Sequence, residues 1–310
     1  MPRRPGIDAA HEAVLRNFVQ TTSFTRCGAV ITDLDGTAVH EHEGRIVIPK
    51  EVEYSLKALD DVGRPVIINT LRFPLSVLRT FGRDWYAINK KRVPTVTLNG
   101  SLLGWVDLDA RGELAFEEIA AFPLAPDELD RVFARVLPLL DDGVLDLLVF
   151  CYPRDWRQGE LIWTPDPERV DVVRGKYLSA SAVTAEPFAD FRARMSTTEL
   201  CMVFTHLDLP QDRLMAYQHA SRTAFATHTG VDKLTGAQAL TAALGLAIGD
   251  SVGAGDTSMD RFLDGVGLAL IVGRARLPFQ GRHATVRLAH SHALGQLLFR
   301  LTELHGERTA

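Results

Sequence analysis

The densest concentration of reactive side chains lies early in the sequence, at Asp33-Leu34-Asp35-Gly36-Thr37, directly after the apolar run GAVIT at 28–32. Two carboxylates at i and i+2 on one tight loop supply a nucleophile and a proton donor together. An Asp carboxylate can attack phosphorus and divide one hard hydrolysis into two easier steps. A second carboxyl can protonate the leaving oxygen and then take a proton from water. The ordinary alternative is a turn, since Asp and Gly punctuate strand ends.

Three further features stand at comparable places. Thr70 ends the run PVIIN at 65–69, Lys233 stands just before a helix that Thr235 is expected to open, and Gly255-Asp256-Thr257-Ser258-Met259-Asp260 follows another apolar run. Each has a plain reading as a helix cap or a solvated charge. Coincidence must explain each separately, whereas one crevice explains them all. Gly249-Asp250 competes with the last motif, but Ala254 stands where its second carboxylate should be, so Asp256 is preferred.

Elements that could bring these residues together are legible in the pattern. The runs at 28–32 and 65–69 read as buried parallel strands. Between them Val52, Leu56, Leu59 and Val62 recur at helical spacing, with Pro49 before and Gly63 after. Strand, helix, strand is a βαβ unit, and ligands in such sheets sit at the strands' C-terminal ends. A third strand at 95–98 leads into Asn99-Gly100, after which the pattern changes. The segment 101–228 reads as an inserted α+β domain, with Leu129, Val132, Phe133, Val136 and Leu140 on one helical face. Alternation resumes over 229–310, so 28–100 and 229–310 form one Rossmann-like α/β core interrupted by a cap. Residues 1–27 read as an N-terminal extension, helical over 10–18, which packs either on the core or on a second subunit; a homodimer is therefore open.

Composition excludes several classes. With 310 residues, 34 Lys+Arg against 39 Asp+Glu and a net charge of −5, the chain lacks the clustered basic residues of a nucleic-acid binder. No apolar run approaches the roughly 18 residues of a membrane span, and no signal-peptide core follows the first Arg residues. Cys27, Cys151 and Cys201 are far apart and form no CxxC pair, so neither a disulfide framework nor a thiolate zinc site is expected, and a reducing cytoplasm is the default compartment.

Together DLDGT at Asp33, Thr70, Lys233 and GDTSMD resemble the four motifs of the haloacid dehalogenase (HAD) superfamily, and Asn99-Gly100 entering a long insert resembles its Cof-type, C2-capped branch. The resemblance implies that Asp33 is the nucleophile, Asp35 the acid/base, and Thr70 and Lys233 phosphate binders. Gly36, Thr37, Arg72 and Asn99 would line the substrate site. Asp33, Asp35 (through its carbonyl), Asp256 and Asp260 would form the Mg²⁺ site, Asp256 with Asp260 as its acidic pair and Asp260 acting mainly by positioning Lys233 or a bound water. The chain departs from the pattern at Leu71 and Met259, and Leu234-Thr235 separate Lys233 from Gly236.

Four carboxylates in one crevice demand a cation. Two unit charges 4 Å apart repel by about 4 kcal/mol at an effective dielectric near 20, and one Lys offsets only one of them. Mg²⁺ suits carboxylates plus a phosphate oxygen. The expected function is Mg²⁺-dependent hydrolysis of a small phosphorylated metabolite, by resemblance a sugar phosphate. Phosphotransfer or mutase chemistry on the same scaffold, or a catalytically idle binder, are the alternatives. Arg154, Asp155, Trp156, Arg157 and Trp163 are candidate selecting residues in the insert, against an ordinary surface reading.

Overall fold

The computed structural model describes residues 7–42, 45–177, 180–207 and 223–309. Its strands are β1 (Val30–Thr32), β2 (His40–His42), β3 (Arg45–Val47), β4 (Val66–Asn69), β5 (Val93–Thr97), β6 (Leu102–Leu108), β7 (Leu114–Ala121), β8 (Leu147–Pro153), β9 (Glu160–Trp163), β10 (Ala180–Thr184), β11 (Leu200–Leu207), β12 (Thr223–Ala226), β13 (Val252–Gly255), β14 (Leu268–Val272) and β15 (Ala284–Leu288). The α-helices are α1 (Ala9–Thr21), α2 (Phe24–Cys27), α3 (Lys50–Asp61), α4 (Pro74–Arg79), α5 (Phe81–Asn89), α6 (Pro126–Ala134), α7 (Leu137–Asp141), α8 (Val170–Lys176), α9 (Phe188–Met195), α10 (Lys233–Ala243) and α11 (Ser291–Thr309). They fall into two compact units: residues 1–71, 77–119 and 232–310, and residues 72–76 with 120–231.

The first unit is built on an eight-stranded sheet in the order β15-β14-β13-β1-β4-β5-β6-β7. From β15 to β5 the pairs are parallel, and β6 returns antiparallel to β5. The central strands are apolar and fully buried, as a sheet covered on both faces requires. Helix α3 buries Val52, Leu56 and Leu59, the expected face, while Val62 caps its end and is partly exposed. It lies close against α11: Ser55 Oγ donates to the Gly295 carbonyl at 2.6 Å, and a Cβ on Gly295 would meet the Glu51 carbonyl carbon at 2.6 Å.

Two expected boundaries move. The insert does not begin at Ser101: β6 and β7 extend the core sheet, and the second unit starts at residue 120 and runs to 231 rather than 228. Strand propensity identifies such segments but not the sheet they join, and here β5 and β6 turn back through the Leu98–Gly100 helical turn to pair Thr97 with Leu102. Residues 7–27 are not an appendage. Helix α1 buries Leu15, Phe18 and Val19, and Glu12 accepts from Arg300 of α11 at 2.8 and 2.9 Å, so the chain's own core takes this segment; residues 1–6 lie outside the described ones.

The second unit has its own five-stranded sheet, β10-β9-β8-β11-β12, antiparallel except for the β9–β10 pair. Alternation along β8 sends Leu147, Val149 and Cys151 to one face, packed with Leu129, Phe133 and Phe191, and Leu148 and Phe150 to the other, packed with Val173. Among the described residues, an apolar cluster therefore packs on each face of this sheet.

Candidate active site

The site forms in the first unit because β1 and β13 are neighbours with their C-terminal ends level. Thr32 pairs with Ala254, and the Asp33 amide continues the ladder by donating to the Ala254 carbonyl at 2.9 Å. Asp33 thus stands one residue past β1, and Asp256 one residue past β13. The loop after Asp33 closes on itself: Thr37 and Val39 amides donate to the Leu34 carbonyl, and Gly36 to Val39. Gly36 has φ +80°, and a Cβ there would lie 2.2 Å from Asp256 Oδ2. Only glycine satisfies both the left-handed backbone and that approach. Thr37, wholly buried, donates its hydroxyl to Asp256 Oδ1 at 3.1 Å.

Lys233 is the centre of the arrangement. It is 2% exposed, and its ammonium donates to Asp33 Oδ1 at 2.6 Å and Asp260 Oδ1 at 2.7 Å. Burial opposes its charge, but the carboxylates of Asp260 and Asp33 outweigh that and hold the ammonium above its ordinary value. For Asp33 the balance runs the other way. Desolvation lifts its carboxyl well above the usual range, Lys233 pulls it down, and Asp260 and Asp35 add to the rise. One ammonium among these carboxylates leaves negative charge uncompensated.

Asp260 is fully buried and heavily committed. Besides Lys233, it accepts from the amides of Asp256 and Thr257 at 2.9 and 2.8 Å and from the Thr257 hydroxyl at 3.1 Å. Asp260 thus captures the loop amides, and a 3₁₀ turn, Arg261–Asp264, follows. Oxygens of Asp33, Asp256 and Asp260 lie within 4.8 Å of one another, an all-oxygen donor set of the kind a hard divalent cation takes.

Lys233 is the first residue of α10 rather than a residue before it. Asp232 is the cap, accepting from the amides of Leu234 and Thr235, while Thr235 Oγ1 receives the Asp232 amide in return. Thr235 looked like the cap because it belongs to the same reciprocal box. The Gly236 displaced from the family spacing has a contact of its own: a Cβ on it would stand 2.6 Å from Gly100 Cα, and one on Gly100 would stand 2.1 Å from the Asp232 carbonyl oxygen. The two glycines let α10 abut the turn after β5.

Thr70, 1% exposed, follows β4 with its amide on the Val96 carbonyl, and the Asn99 amide donates to the Thr70 carbonyl at 3.3 Å. Asn99 takes a left-handed conformation, φ 57°. Asp35 is half-buried and bridges to Val39 across the loop. Arg72 falls in segment 72–76, which groups with the second unit. Asp250, the competing carboxylate, instead accepts from the Ser23 amide at 3.2 Å.

Asn69 was missed. Nothing in its sequence context marks it, yet its wholly buried amide nitrogen donates to the Lys233 carbonyl at 3.0 Å. In the second unit, Trp163 is core, 2% exposed, with its indole on the Glu186 carbonyl, and Asp155 caps a local turn while Arg157 lies over Trp156. Among the histidines, His40 contacts Ser291, and the side chain of His42 lies outside the described residues.

No family model and no curated protein matches the chain in sequence. Solved structures do match in fold. A HAD subclass IIB sugar phosphatase superimposes with a TM-score of 0.61 at 15% identity, covering 89% of this chain and 98% of its own. A phosphatase of the same superfamily from Bacteroides thetaiotaomicron gives 0.58 at 15%, with 91% and 96% covered. A haloacid dehalogenase-like hydrolase from B. subtilis gives 0.57 at 16%, with 87% and 98% covered. The chain thus shares the overall Rossmann-like α/β fold of these structures, with a largely parallel sheet at its centre.

Proposed function

We propose that the protein is a Mg²⁺-dependent phosphomonoester hydrolase acting on a small phosphorylated metabolite through an aspartyl-phosphate. The observation that carries this reading is the buried Lys233 ammonium held between Asp33 and Asp260, with Asp256 beside them, at the C-terminal rim of a parallel sheet. A structural ion pair would need one carboxylate per ammonium; a surplus of buried acid is costly unless a cation or a reaction uses it.

The donor set fits Mg²⁺, since oxygens of Asp33 and Asp256 converge while Asp260 is committed to Lys233 and the loop amides. The ion would supply charge neutralisation at the phosphoryl oxygens and keep Asp33 ionised. Asp33 attacks phosphorus, forming the aspartyl P–O bond as the ester P–O bond breaks, and Asp35 gives its proton to the departing alcohol. Water then attacks the same phosphorus, Asp35 recovers a proton from it, and the aspartyl bond breaks to release inorganic phosphate. Lys233 and the Thr70 hydroxyl balance charge spread over the phosphoryl oxygens.

One matching structure is described as a sugar phosphatase, which supports sugar phosphates as the substrate class. Three free cysteines support a reducing, cytoplasmic setting. A panel of sugar phosphates and p-nitrophenyl phosphate, assayed with Mg²⁺ and no acceptor, tests the reading. Phosphate release is expected; transfer only to an added sugar makes the protein a phosphotransferase, and no turnover at all removes the enzymatic reading.

A further inference from the structure

We propose that Asn69 is a positioning residue that sets where the Lys233 ammonium stands, an inference that rests on the phosphoryl-transfer reading above. Asn69 is the last residue of β4, paired with Val96 of β5, and is wholly buried. Its Nδ2 donates to the carbonyl of Lys233, the first residue of α10, at 3.0 Å. A carbonyl can only accept, so the amide's orientation is fixed by its partner.

Two other devices hold this end of α10, the Asp232 cap and the Gly100–Gly236 approach, and both act on the helix as a whole. Asn69 alone of the three bonds the residue whose side chain must reach two carboxylates at once. Those two bonds, 2.6 and 2.7 Å, leave little tolerance for a slide or roll of the first turn. Stability does not account for the choice of residue. Asn69 Oδ1 accepts no hydrogen bond from the described residues, a folding cost that an apolar side chain at this core position would avoid. The polar group is therefore explained by what its nitrogen does: it ties the tip of β4, where Thr70 follows, to the backbone under the ammonium.

The test combines kinetics with crystallography on wild-type protein, Asn69→Leu and Asn69→Ala, using p-nitrophenyl phosphate and Mg²⁺. Both variants are expected to lose about tenfold to a hundredfold in kcat. KM should change less than about threefold, because the charge that Lys233 balances grows on the phosphoryl oxygens mainly in the transition state. The melting temperature of Asn69→Leu should equal or exceed the wild-type value, and its crystal structure should show Nζ out of hydrogen-bond reach of Asp33 or Asp260. Unchanged kcat, or Nζ still bonded to both carboxylates, overturns the proposal. A wild-type protein without turnover defeats the functional reading instead, and the variant structure then decides the role of Asn69 by itself. Asn69→Ala serves in both arms if Asn69→Leu does not fold.

Discussion

The side chains of the site carry opposite demands, and substitution separates them. On the proposed mechanism Asp33→Asn keeps shape and removes the attacking oxygen, so turnover should fall by at least about a thousandfold in a phosphate-release assay. Folding should survive or improve. Burial already lifts the Asp33 carboxyl, meaning that its charge is held in place against desolvation, and Asp260 remains as partner to Lys233. A melting temperature several degrees lower in Asp33→Asn would contradict that account. Lys233→Met should behave in the opposite way. It leaves Asp33 and the fully buried Asp260 without their shared counter-charge, a loss of about 3–5 kcal/mol by chemical denaturation as well as of activity. Equal stability of Lys233→Met and wild type would show that the ammonium is not what compensates these acids.

At the scale of elements, strand tips were legible because short apolar runs ending in Asp, Asn or Thr announce themselves locally: Asp33, Thr70 and Asp256 were found that way. What was not legible depends on partners far along the chain. Nothing near residue 101 says that β6 pairs with β5 in the core sheet, nothing near Asn69 points to Lys233, and Gly100 and Gly236 reveal their use only when the turn and α10 meet. The same holds for Glu128, which opens α6 in the second unit. Its carboxylate accepts from the Ala125 and Thr229 amides and contacts His228 Nδ1, each at 2.8 Å, with the Thr229 hydroxyl as a further donor. Despite the cost of burial, bonds from Thr229, Ala125 and His228 bring its pKa down to about 2. A depressed carboxylate stabilises the fold above its unfolded pKa near 4.5 and loses that contribution as pH falls toward 2. Urea midpoints of wild type and Glu128→Gln should therefore differ by the equivalent of about 3 kcal/mol at pH 7. The gap should shrink below pH 4.5. A gap that is constant with pH would assign the effect to shape rather than charge.

For the whole molecule, the consequence of building one acidic cluster from distant segments is linkage between metal binding and folding. Asp33 lies on the loop after β1 and Asp256 and Asp260 after β13, so their oxygens come within 4.8 Å only once the sheet has assembled. An ion that uses this set binds the folded chain and not the unfolded one, and stabilises it by RT ln(1 + [L]/Kd). At a Mg²⁺ concentration ten times Kd this is about 1.4 kcal/mol, or about 2–4 °C in a protein of this size. Thermal melts in Mg²⁺ against EDTA should show that rise in wild type. Asp256→Asn should abolish the rise while melting near the metal-free wild-type temperature, since Asp256 is outside the Lys233 ion pairs. Glu51→Gln, on the surface of α3, should leave it intact. If Asp256→Asn keeps the full rise, the ion binds elsewhere on this acidic chain and the convergence of carboxylates at the sheet's rim needs another cause.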